Sequence, residues 1–429
     1  MRSIYKKIII NMFKILTSIY LKINKVEVIA ITGSAGKTTV KTAISQLLSN
    51  KLTYVPKEAY NTEIGIPLSV FKLKSPENIS SPLAWFGILF KMTFRLFRKS
   101  DFKRIVIEMG ADHPGDIAYL VSFAKPHIAV VTTVLPVHTE NFKDIQEIAS
   151  EKGQLIRSLN EGDLAILNSD DELVAGMAKK TKAKIVWVGQ QGEPDLSWKN
   201  QKISLDGMSF DIVWKGEKHP VNLQIIAPQL LTSLLSAIAV CLYLGEDLEG
   251  LLRKLEEYKS EAGRMNLVKG INSSTVLDDS YNANPYSVIA ALDVLSKLRG
   301  RRIAVLGNMN ELGGFEEEAH KMVGKRAGEV CDLLVTVGQK AKAYIASSAA
   351  QNLDEKKIHT FLDPYQAGKF LKKEIKKDDI ILVKGSQNKV FVEETVKIIM
   401  LEPQKAETVL VRQSSFWQKK KKESFKNKE

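Results

Sequence analysis

The feature that most constrains the fold is a short run in which an apolar strand, a glycine turn and a helix follow one another. The segment Val28-Ile29-Ala30-Ile31-Thr32 is rich in β-branched apolar residues, and Gly33-Ser34-Ala35-Gly36 follows it directly. Lys37-Thr38-Thr39 then opens a helical pattern that runs from Val40 to Leu48. A strand that passes through glycines into a helix begins a β–α unit, so the sequence predicts an α/β fold with a parallel sheet.

The same turn has the residue types of a phosphate-binding loop. Gly33 and Gly36 let the backbone approach a phosphate without an intervening Cβ, and the helix N-terminus offers free N–H groups. Lys37 can reach the terminal phosphates and the Thr38 hydroxyl can hold Mg²⁺. We therefore predict that a nucleoside triphosphate is bound by Gly33, Ser34, Ala35, Gly36, Lys37, Thr38 and Thr39.

The spacing of this loop argues against the commonest nucleotide-binding classes. Two residues separate its glycines where the common loop has four, and Ile31 occupies the position of the first glycine. An ordinary GTPase or motor ATPase is therefore not expected.

Charge and cysteine content exclude several further classes. The net charge is +13, but residues 1–25 carry six Lys or Arg and no acid, and residues 403–429 carry a net charge of +5. The body of the chain is close to neutral, which argues against a nucleic-acid-binding protein. Cys241 and Cys331 are isolated, so we predict neither a disulfide framework nor a zinc site. The basic tail, including Lys419–Lys422, is predicted to be solvated and disordered.

Two basic, amphipathic runs raise the question of membrane contact. Ile8, Met12, Ile15, Ile19 and Ile23 share one helical face, and Phe86, Leu89, Phe90 and Phe97 lie opposite Lys91, Arg95 and Arg98. Neither run reaches the roughly 18 uninterrupted apolar residues that a transmembrane span requires. The first lacks a signal-peptide cleavage site, so we predict a cytoplasmic protein. A helix in the membrane interface and a helix packed on the protein's own core remain open alternatives for both runs.

The alternation of strand-like and helical segments predicts two α/β domains. A central phosphate-loop-type parallel sheet domain is expected over 26–260, with an amphipathic insertion at 80–100 and an antiparallel section at 185–226. After Ala262-Gly263-Arg264 the pattern restarts, which predicts a smaller Rossmann-like α/β domain over 261–402. Residues 1–25 form a basic N-terminal segment, and 403–429 form the tail.

Further polar clusters follow apolar strands. Glu108-Met109-Gly110-Ala111 places a carboxylate at the end of a strand, where ligands bind in doubly wound sheets. His138 and Lys152 flank the next crossover, and Asp278-Asp279-Ser280-Tyr281-Asn282-Ala283-Asn284-Pro285 follows a strand of the second domain.

Together these residues resemble the Mur ligase family of ATP-consuming, amide-forming enzymes over about Val26 to Met400. No single motif is specific, but their number and order are. The motifs that carry the resemblance are Thr-Gly-Ser-Ala-Gly-Lys-Thr-Thr (32–39), Asn-Thr-Glu-Ile-Gly-Ile-Pro (61–67), Glu-Met-Gly-Ala (108–111), Asp-Asp-Ser-Tyr-Asn-Ala-Asn-Pro (278–285), Val-Leu-Gly-Asn-Met-Asn-Glu-Leu-Gly (305–313) and Leu-Val-Lys-Gly-Ser (382–386).

The resemblance implies a mechanism and a set of roles. ATP would phosphorylate a peptide carboxylate, and an amine such as D-alanyl-D-alanine would attack the acyl phosphate, as in cell-wall precursor synthesis. The resemblance assigns catalytic roles to Lys37, Glu108, His138 and Lys152; Mg²⁺ binding to Thr38, Glu108 and His138; ATP contacts to Arg264 and Asp279; and substrate contacts to Asn61, Thr62, Asn282, Asn284 and Lys384. It also implies a carbamate on Lys152, which would turn an ammonium into an anion able to face Mg²⁺.

The sequence also departs from the family pattern. Only about 25 residues precede the first strand, too few for the usual N-terminal domain that grips a uridine nucleotide. We therefore expect an acceptor that is held differently, such as a lipid-linked molecule or a polyglutamate. Gln229 and Ser233 replace the His and Asn expected near the adenine. A membrane scaffold that binds ATP without chemistry is the alternative from another class.

Overall fold

Two β-sheets, one of nine strands and one of six, organise the chain in the computed structural model. The structure describes residues 2–48, 52–57, 60–76, 78–79, 81–136, 141–387 and 389–425.

The first sheet contains the predicted phosphate loop at its centre. Its strands are β1 (Glu27–Thr32), β2 (Thr53–Tyr54), β3 (Arg104–Glu108), β4 (Ile128–Val131), β5 (Leu164–Asn168), β6 (Lys184–Val188), β7 (Leu196–Ser204), β8 (Gly207–Trp214) and β9 (Glu217–Leu223). Their order is β2-β3-β1-β4-β5-β6-β7-β8-β9, and β1 to β6 are parallel. Because the strand order reverses at β1, the crevice at its carboxyl end is the expected ligand position.

The antiparallel section is shorter than predicted. Strand β6 still pairs in parallel with β5, and only β7, β8 and β9 form an antiparallel meander. The Asp206-Gly207 and Lys215-Gly216 turns connect these three strands, with Gly207 and Gly216 at positive φ.

The second sheet confirms the prediction of a smaller α/β domain. Its strands are β10 (Asn266–Lys269), β11 (Thr275–Asp279), β12 (Arg302–Gly307), β13 (Leu333–Val337), β14 (Ile358–Phe361) and β15 (Ile380–Lys384). Their order is β10-β11-β15-β12-β13-β14, with β10 antiparallel and the other five strands parallel. The predicted fold class, two α/β units with parallel sheets, is therefore correct.

Helices cover both faces of each sheet. They are α1 (Arg2–Ile23), α2 (Lys37–Leu47), α3 (Gly65–Val70), α4 (Pro82–Leu96), α5 (Asp116–Val121), α6 (Ile145–Arg157), α7 (Glu172–Ala175), α8 (Leu231–Tyr243), α9 (Leu248–Glu256), α10 (Pro285–Lys297), α11 (Glu316–Val330), α12 (Ser347–Ala349), α13 (Pro364–Glu374), α14 (Glu393–Ile399), α15 (Ala406–Val409) and α16 (Ser415–Phe425). Successive β1 residues alternate between the faces: Ile29 and Ile31 join the core beneath α2 and α8, whereas Val28 and Ala30 join the core beneath α1 and α4.

The N-terminal helix α1 packs on the protein's own core through one face and leaves the opposite face exposed. Phe13, Thr17 and Tyr20 are buried against the first sheet's helical layer. The face predicted from Ile8 to Ile23 points away from the protein and is exposed. No helix in the described part of the chain is long and apolar enough to cross a bilayer.

The C-terminal tail differs from the prediction of a disordered segment. Residues 403–425 form a 3-10 turn and two helices, α15 and α16, that pack on the second domain. Lys421, which we expected to be solvated, is fully buried and forms ion pairs with Glu393 and Glu394. The charge pattern could not reveal this, because the two carboxylates lie on another helix.

Candidate active site between the two sheets

A cavity of about 710 Å³ lies between the carboxyl ends of the two sheets and gathers almost all of the predicted site residues. Those that line it are Gly33, Ser34, Ala35, Gly36, Lys37, Thr38, Thr39, Asn61, Glu108, Lys152, Arg264, Asp279, Asn282, Asn284 and Lys384. Thr62 lines an adjoining cavity of about 450 Å³ that shares Asn61, Gly110 and Asp112 with the first. His138 lies outside the described residues.

The glycine loop is held so closely that side chains cannot replace its glycines. Gly33 and Gly36 have φ of 147° and 85°, in the region that favours glycine. A Cβ on Gly33 would lie 1.9 Å from Thr132 Oγ1, and one on Gly36 would lie 2.4 Å from Ser233 Oγ. The Thr132 hydroxyl also donates to Ala35 O, and the backbone N–H of Ser34 donates to Thr133 O at 2.7 Å. Residues at the end of β4 and the start of α8 thus hold the loop in its conformation without a bound ligand.

Lys37 begins α2 and folds back over the loop. Its Nζ donates to Gly33 O at 2.6 Å, so the ammonium stands above the turn where a phosphate would lie. Burial lowers the pKa of Lys37, and the positive charge of Arg264 lowers it further, whereas Glu108 opposes the shift. The carboxylate of Glu108 and the guanidinium of Arg264 therefore both lie within electrostatic reach of this ammonium.

Glu108 ends β3 beside β1, where Ile31 is its register partner. Thr38 Oγ1 donates to Glu108 Oε2 at 3.2 Å, which brings together two hard oxygen donors of the kind that Mg²⁺ prefers. The other carboxylate oxygen faces Lys41 Nζ at 3.0 Å. The residues fit a magnesium ion held by one carboxylate, one hydroxyl and phosphate oxygens.

Lys152 approaches the cavity from α6. It is 3% exposed, and burial lowers its pKa to about 7, with the charge of Lys37 as the second cause. Its neighbour Glu151 accepts backbone N–H bonds from Gly115 at 2.8 Å and Ile117 at 2.6 Å, which fixes α6 against the start of α5. The sequence places Lys152 on a helix, but only packing brings it next to Lys37.

The second domain contributes charged groups that are already paired. Asp279 and Lys384 are register partners at the ends of β11 and β15, and Lys384 Nζ lies 2.6 Å from Asp279 Oδ2. Lys384 also donates to Asn282 O at 3.0 Å. Asn284 Oδ1 accepts from Ser287 N at 2.9 Å and caps α10. Of the predicted substrate residues, Asn284 and Lys384 thus have structural bonds that the motif did not reveal.

Arg264 connects the two domains at the cavity. Its guanidinium lies 4.3 Å from the centroid of the Tyr281 ring, and its Nε lies 3.3 Å from Glu261 Oε2. Glu261 Oε1 in turn accepts a hydrogen bond from Thr42 of α2 at 2.6 Å. The helix that begins at the phosphate loop is therefore linked to the arginine of the second domain.

Sequence reasoning missed three residues of this site. Lys41 stands four residues after Lys37 and hence on the same face of α2, a spacing that could have indicated its pairing with Glu108. Thr132 gave no local signal, because its partner Ala35 lies far away in the sequence. Tyr281 stood in a predicted polar motif, but the motif did not reveal its contact with Arg264.

Two family models match the chain. The Mur ligase middle domain matches residues 31–241, and the Mur ligase, glutamate ligase domain matches residues 263–387. The boundary between the two matches falls just before Arg264.

Individual proteins and solved structures are similar to this chain over most of its length. UDP-N-acetylmuramoyl-tripeptide–D-alanyl-D-alanine ligase from Escherichia coli (strain K12) is 29% identical over 325 residues, which cover 75% of this chain and 66% of that protein. The Bacillus subtilis (strain 168) protein of the same name is 29% identical over 90% of this chain and 79% of its own length. The structure of MurF ligase from Thermotoga maritima in complex with ADP has a TM-score of 0.77 at 26% identity, covering 92% of this chain and 84% of that one.

Proposed function

Because the chain belongs to the Mur ligase family, we propose that it is an ATP-dependent, ADP-forming ligase that joins an amine to a peptide carboxylate in peptidoglycan precursor synthesis. The observation that carries the proposal is the single cavity in which Lys37, Glu108 and Lys152 of one domain face Arg264 and Asp279 of the other. A relative of similar structure binds ADP.

Each residue has a task that its position supports. The loop N–H groups and Lys37 hold the triphosphate, and Lys37 and Arg264 neutralise the charge that develops when its outermost group moves to the carboxyl oxygen. Asp279 faces the nucleotide from the second domain. An amine then attacks the acyl phosphate and phosphate leaves. Holding the reactants together is the main contribution to the rate.

Glu108 and Thr38 are the proposed magnesium ligands. When bound, the ion neutralises phosphate oxygens and orients them. Lys41 holds one oxygen of Glu108, so that carboxylate keeps its orientation at the end of β3. We include His138 as a further metal contact on the basis of the family resemblance alone.

We also propose that Lys152 reacts with CO₂ to form a carbamate. The reaction needs the neutral amine, which adds to carbon dioxide and releases one proton. Burial lowers the pKa of Lys152 to about 7, so a large part of the amine is neutral at physiological pH. The resulting anion would lie beside Lys37 and balance its charge.

The proposed amine is D-alanyl-D-alanine and the proposed acceptor is a tripeptide precursor, as the names of the relatives indicate. A different acceptor, lipid-linked or a polyglutamate, is the alternative within the family. Asn61 and Thr62 stand where the two cavities meet and are proposed to contact the acceptor, together with Asn282.

The test is phosphate release from ATP with purified chain, Mg²⁺ and bicarbonate, across pairs of acceptors and amines, with the amide product identified by mass spectrometry. We expect release that depends on both substrates. Nucleotide binding without turnover on any pair, and cellular function that survives Lys152→Ala, would instead favour the non-catalytic scaffold.

We propose in addition that the protein works in the cytoplasm in peripheral contact with an anionic membrane, through residues 1–25 and 80–100. Helices α1 and α4 pack side by side, and the Tyr5 and Phe86 rings meet at 5.9 Å. More than half of the exposed large apolar side chains in the described residues lie on these two helices or directly after α4: Tyr5, Ile8, Met12, Ile15, Ile19, Ile23, Leu83, Phe86, Phe90, Phe94 and Phe97. We call this set the apolar face.

The charges beside the apolar face favour lipid over a second copy of the chain. Neither α1 nor α4 contains an acidic residue, and Lys6, Lys7, Lys22, Lys91 and Arg98 are exposed around it. Two copies meeting through this face would bring like charges together, whereas anionic headgroups would neutralise them. The face differs from the predicted one at Leu89, which is buried.

Co-sedimentation with vesicles of phosphatidylglycerol or of phosphatidylcholine tests this contact. We expect binding to the anionic vesicles and a drop of about tenfold or more in Phe90→Ser/Phe94→Ser, because two exposed rings no longer enter the interface. Phe416→Ser, at another exposed phenylalanine, is the matched control and should bind normally. Unchanged binding of the double variant, or a concentration-dependent dimer that it abolishes, would contradict the membrane proposal.

A further inference from the structure

The C-terminal segment from Val411 to Phe425 lies outside both family matches, yet it contacts the nucleotide side of the second domain. The contact is made to the loop Ser280–Asn284, which follows β11 and lines the cavity. A segment beyond the two family matches therefore supports the wall of the proposed active site.

Arg412 makes the contact. Its Nη1 donates to Tyr281 O at 3.0 Å and its Nη2 donates to Ser280 O at 2.6 Å. The same guanidinium forms a bidentate ion pair with Glu393, with both N–O distances at 2.9 Å. Arg412 is 6% exposed in its side chain and Glu393 is fully buried, so this bridge is shielded from solvent.

The bridged loop carries Tyr281, whose ring lies against Arg264. Tyr281 supports the Arg264 guanidinium with its ring, and its N–H donates to Gly263 O at 3.0 Å. The side chain of Val411 lies beside Gly263, close enough that a Cβ there would stand 3.1 Å from it. The C-terminal segment thus touches both the loop and the residue that precedes Arg264.

The segment is itself anchored by a second buried cation. Lys421 Nζ lies 2.9 Å from Glu393 Oε1 and 2.6 Å from Glu394 Oε1. Trp417 and Phe425 pack edge-on against Phe391. Lys421 makes none of the described contacts with the Ser280–Asn284 loop, so it secures the segment without reaching the cavity.

We infer that Arg412 is a positioning residue for nucleotide binding, which holds the Ser280–Asn284 loop so that Tyr281 keeps Arg264 directed at the phosphates. The inference rests on the proposed function, because it assigns the nucleotide to this cavity. A guanidinium is needed, since a lysine ammonium cannot hold two loop carbonyls and both oxygens of Glu393 at once.

The test compares Arg412→Gln and Arg412→Lys with Lys421→Met in the full chain. ADP affinity is measured by calorimetry, folding by thermal unfolding, and loop order by hydrogen exchange of the Tyr281 amide. We expect both Arg412 variants to bind ADP about tenfold more weakly and to exchange the Tyr281 amide faster. Lys421→Met should unfold at a lower temperature but keep its ADP affinity within twofold while folded. Arg301→Gln, at an arginine paired with buried Asp379 away from the cavity, is the matched control and should bind normally.

The outcomes separate the inference from the function on which it rests. A wild-type chain that binds no adenine nucleotide overturns both. A wild-type chain that binds ADP, with folded Arg412 variants of equal affinity, overturns the inference alone. Equal losses of affinity in Arg412→Lys and Lys421→Met also overturn it, because the segment would then act only through general stability.

Discussion

The two sides of the cavity differ in how their buried charged side chains are paired. On the first-sheet side, Lys37 and Lys152 lie close enough that the charge of Lys37 lowers the pKa of Lys152, and burial lowers the pKa of both. On the second-sheet side, Asp279 is paired with Lys384, and Glu393 is paired with Arg412. The first-sheet side thus brings two buried lysines together, whereas on the second-sheet side Lys384 and Arg412 are each paired with a carboxylate.

This difference separates ligand chemistry from scaffold. Crowded lysines raise the free energy of the unliganded protein and stabilise a bound triphosphate, so their removal should affect turnover more than folding. Buried ion pairs hold the loops in place, and breaking one leaves a charge without a partner. Four substitutions test whether the two sides can be distinguished in this way.

The largest effect is expected from Lys37→Ala on the first-sheet side. The substitution removes the cation above the glycine loop and should lower kcat/KM by about 10³-fold, since it withdraws charge from the transition state. The temperature of thermal unfolding should change little, because the described hydrogen bond that Lys37 donates goes to a loop carbonyl, that of Gly33. A large loss of stability would show that the first-sheet side is a scaffold as well.

Lys384→Ala tests the opposite side. It leaves Asp279 with no cation beside it in a nearly buried position and should destabilise the chain by about 3–5 kcal/mol in urea unfolding. The double variant Asp279→Asn/Lys384→Met removes both charges and should recover part of that loss. If Lys384→Ala unfolds like the wild-type chain but loses turnover, the second-sheet lysine is chemical rather than structural.

Lys152→Ala is expected to lower turnover by about 10²-fold while ADP binding remains. In the wild-type chain, stimulation by bicarbonate should grow as the pH rises from 6 to 8, because the pKa of Lys152 is lowered to about 7 and the neutral amine forms the carbamate. Activity that is the same with and without CO₂ at pH 8 would contradict the carbamate.

Asp278→Asn gives the smallest effect and concerns stability alone. Burial raises the pKa of Asp278 from 3.8 to about 7, so its folded form holds a proton that the unfolded chain has lost. The stabilisation is present at low pH and disappears as the pH rises through 7. Between pH 5 and 8 the wild-type chain should therefore lose about 2–3 kcal/mol relative to the Asn variant in urea unfolding. If the free energies of unfolding of the two chains change with pH in the same way, the raised pKa of Asp278 is contradicted.

Local sequence predicted most of the elements that form the site. The apolar run Val28–Thr32 predicted a strand within one residue of its observed bounds, Glu27–Thr32, because a run of buried β-branched residues can be recognised without tertiary information. The glycine loop could also be predicted, because positive φ and the close approach of neighbouring residues require glycine at Gly33 and Gly36.

The local sequence did not reveal the structural roles of residues whose side chains are paired in the fold. Asn284 was predicted to contact substrate, but it caps α10, and the Lys384 side chain is bound to Asp279. The basic tail was predicted to be disordered because its local charge density is high. Its burial depends on Glu393 and Glu394, whose positions no local pattern reveals.

The sequence by itself determined the β–α units, the glycine loop and the family, because these depend on residues that are neighbours along the chain. Only the tertiary structure decided which charges are balanced. It placed Lys41 on Glu108, Lys152 beside Lys37 and Arg412 beneath Tyr281. The electrostatic free energy of a side chain depends on distances across the fold, and those distances exist only after the two sheets have packed.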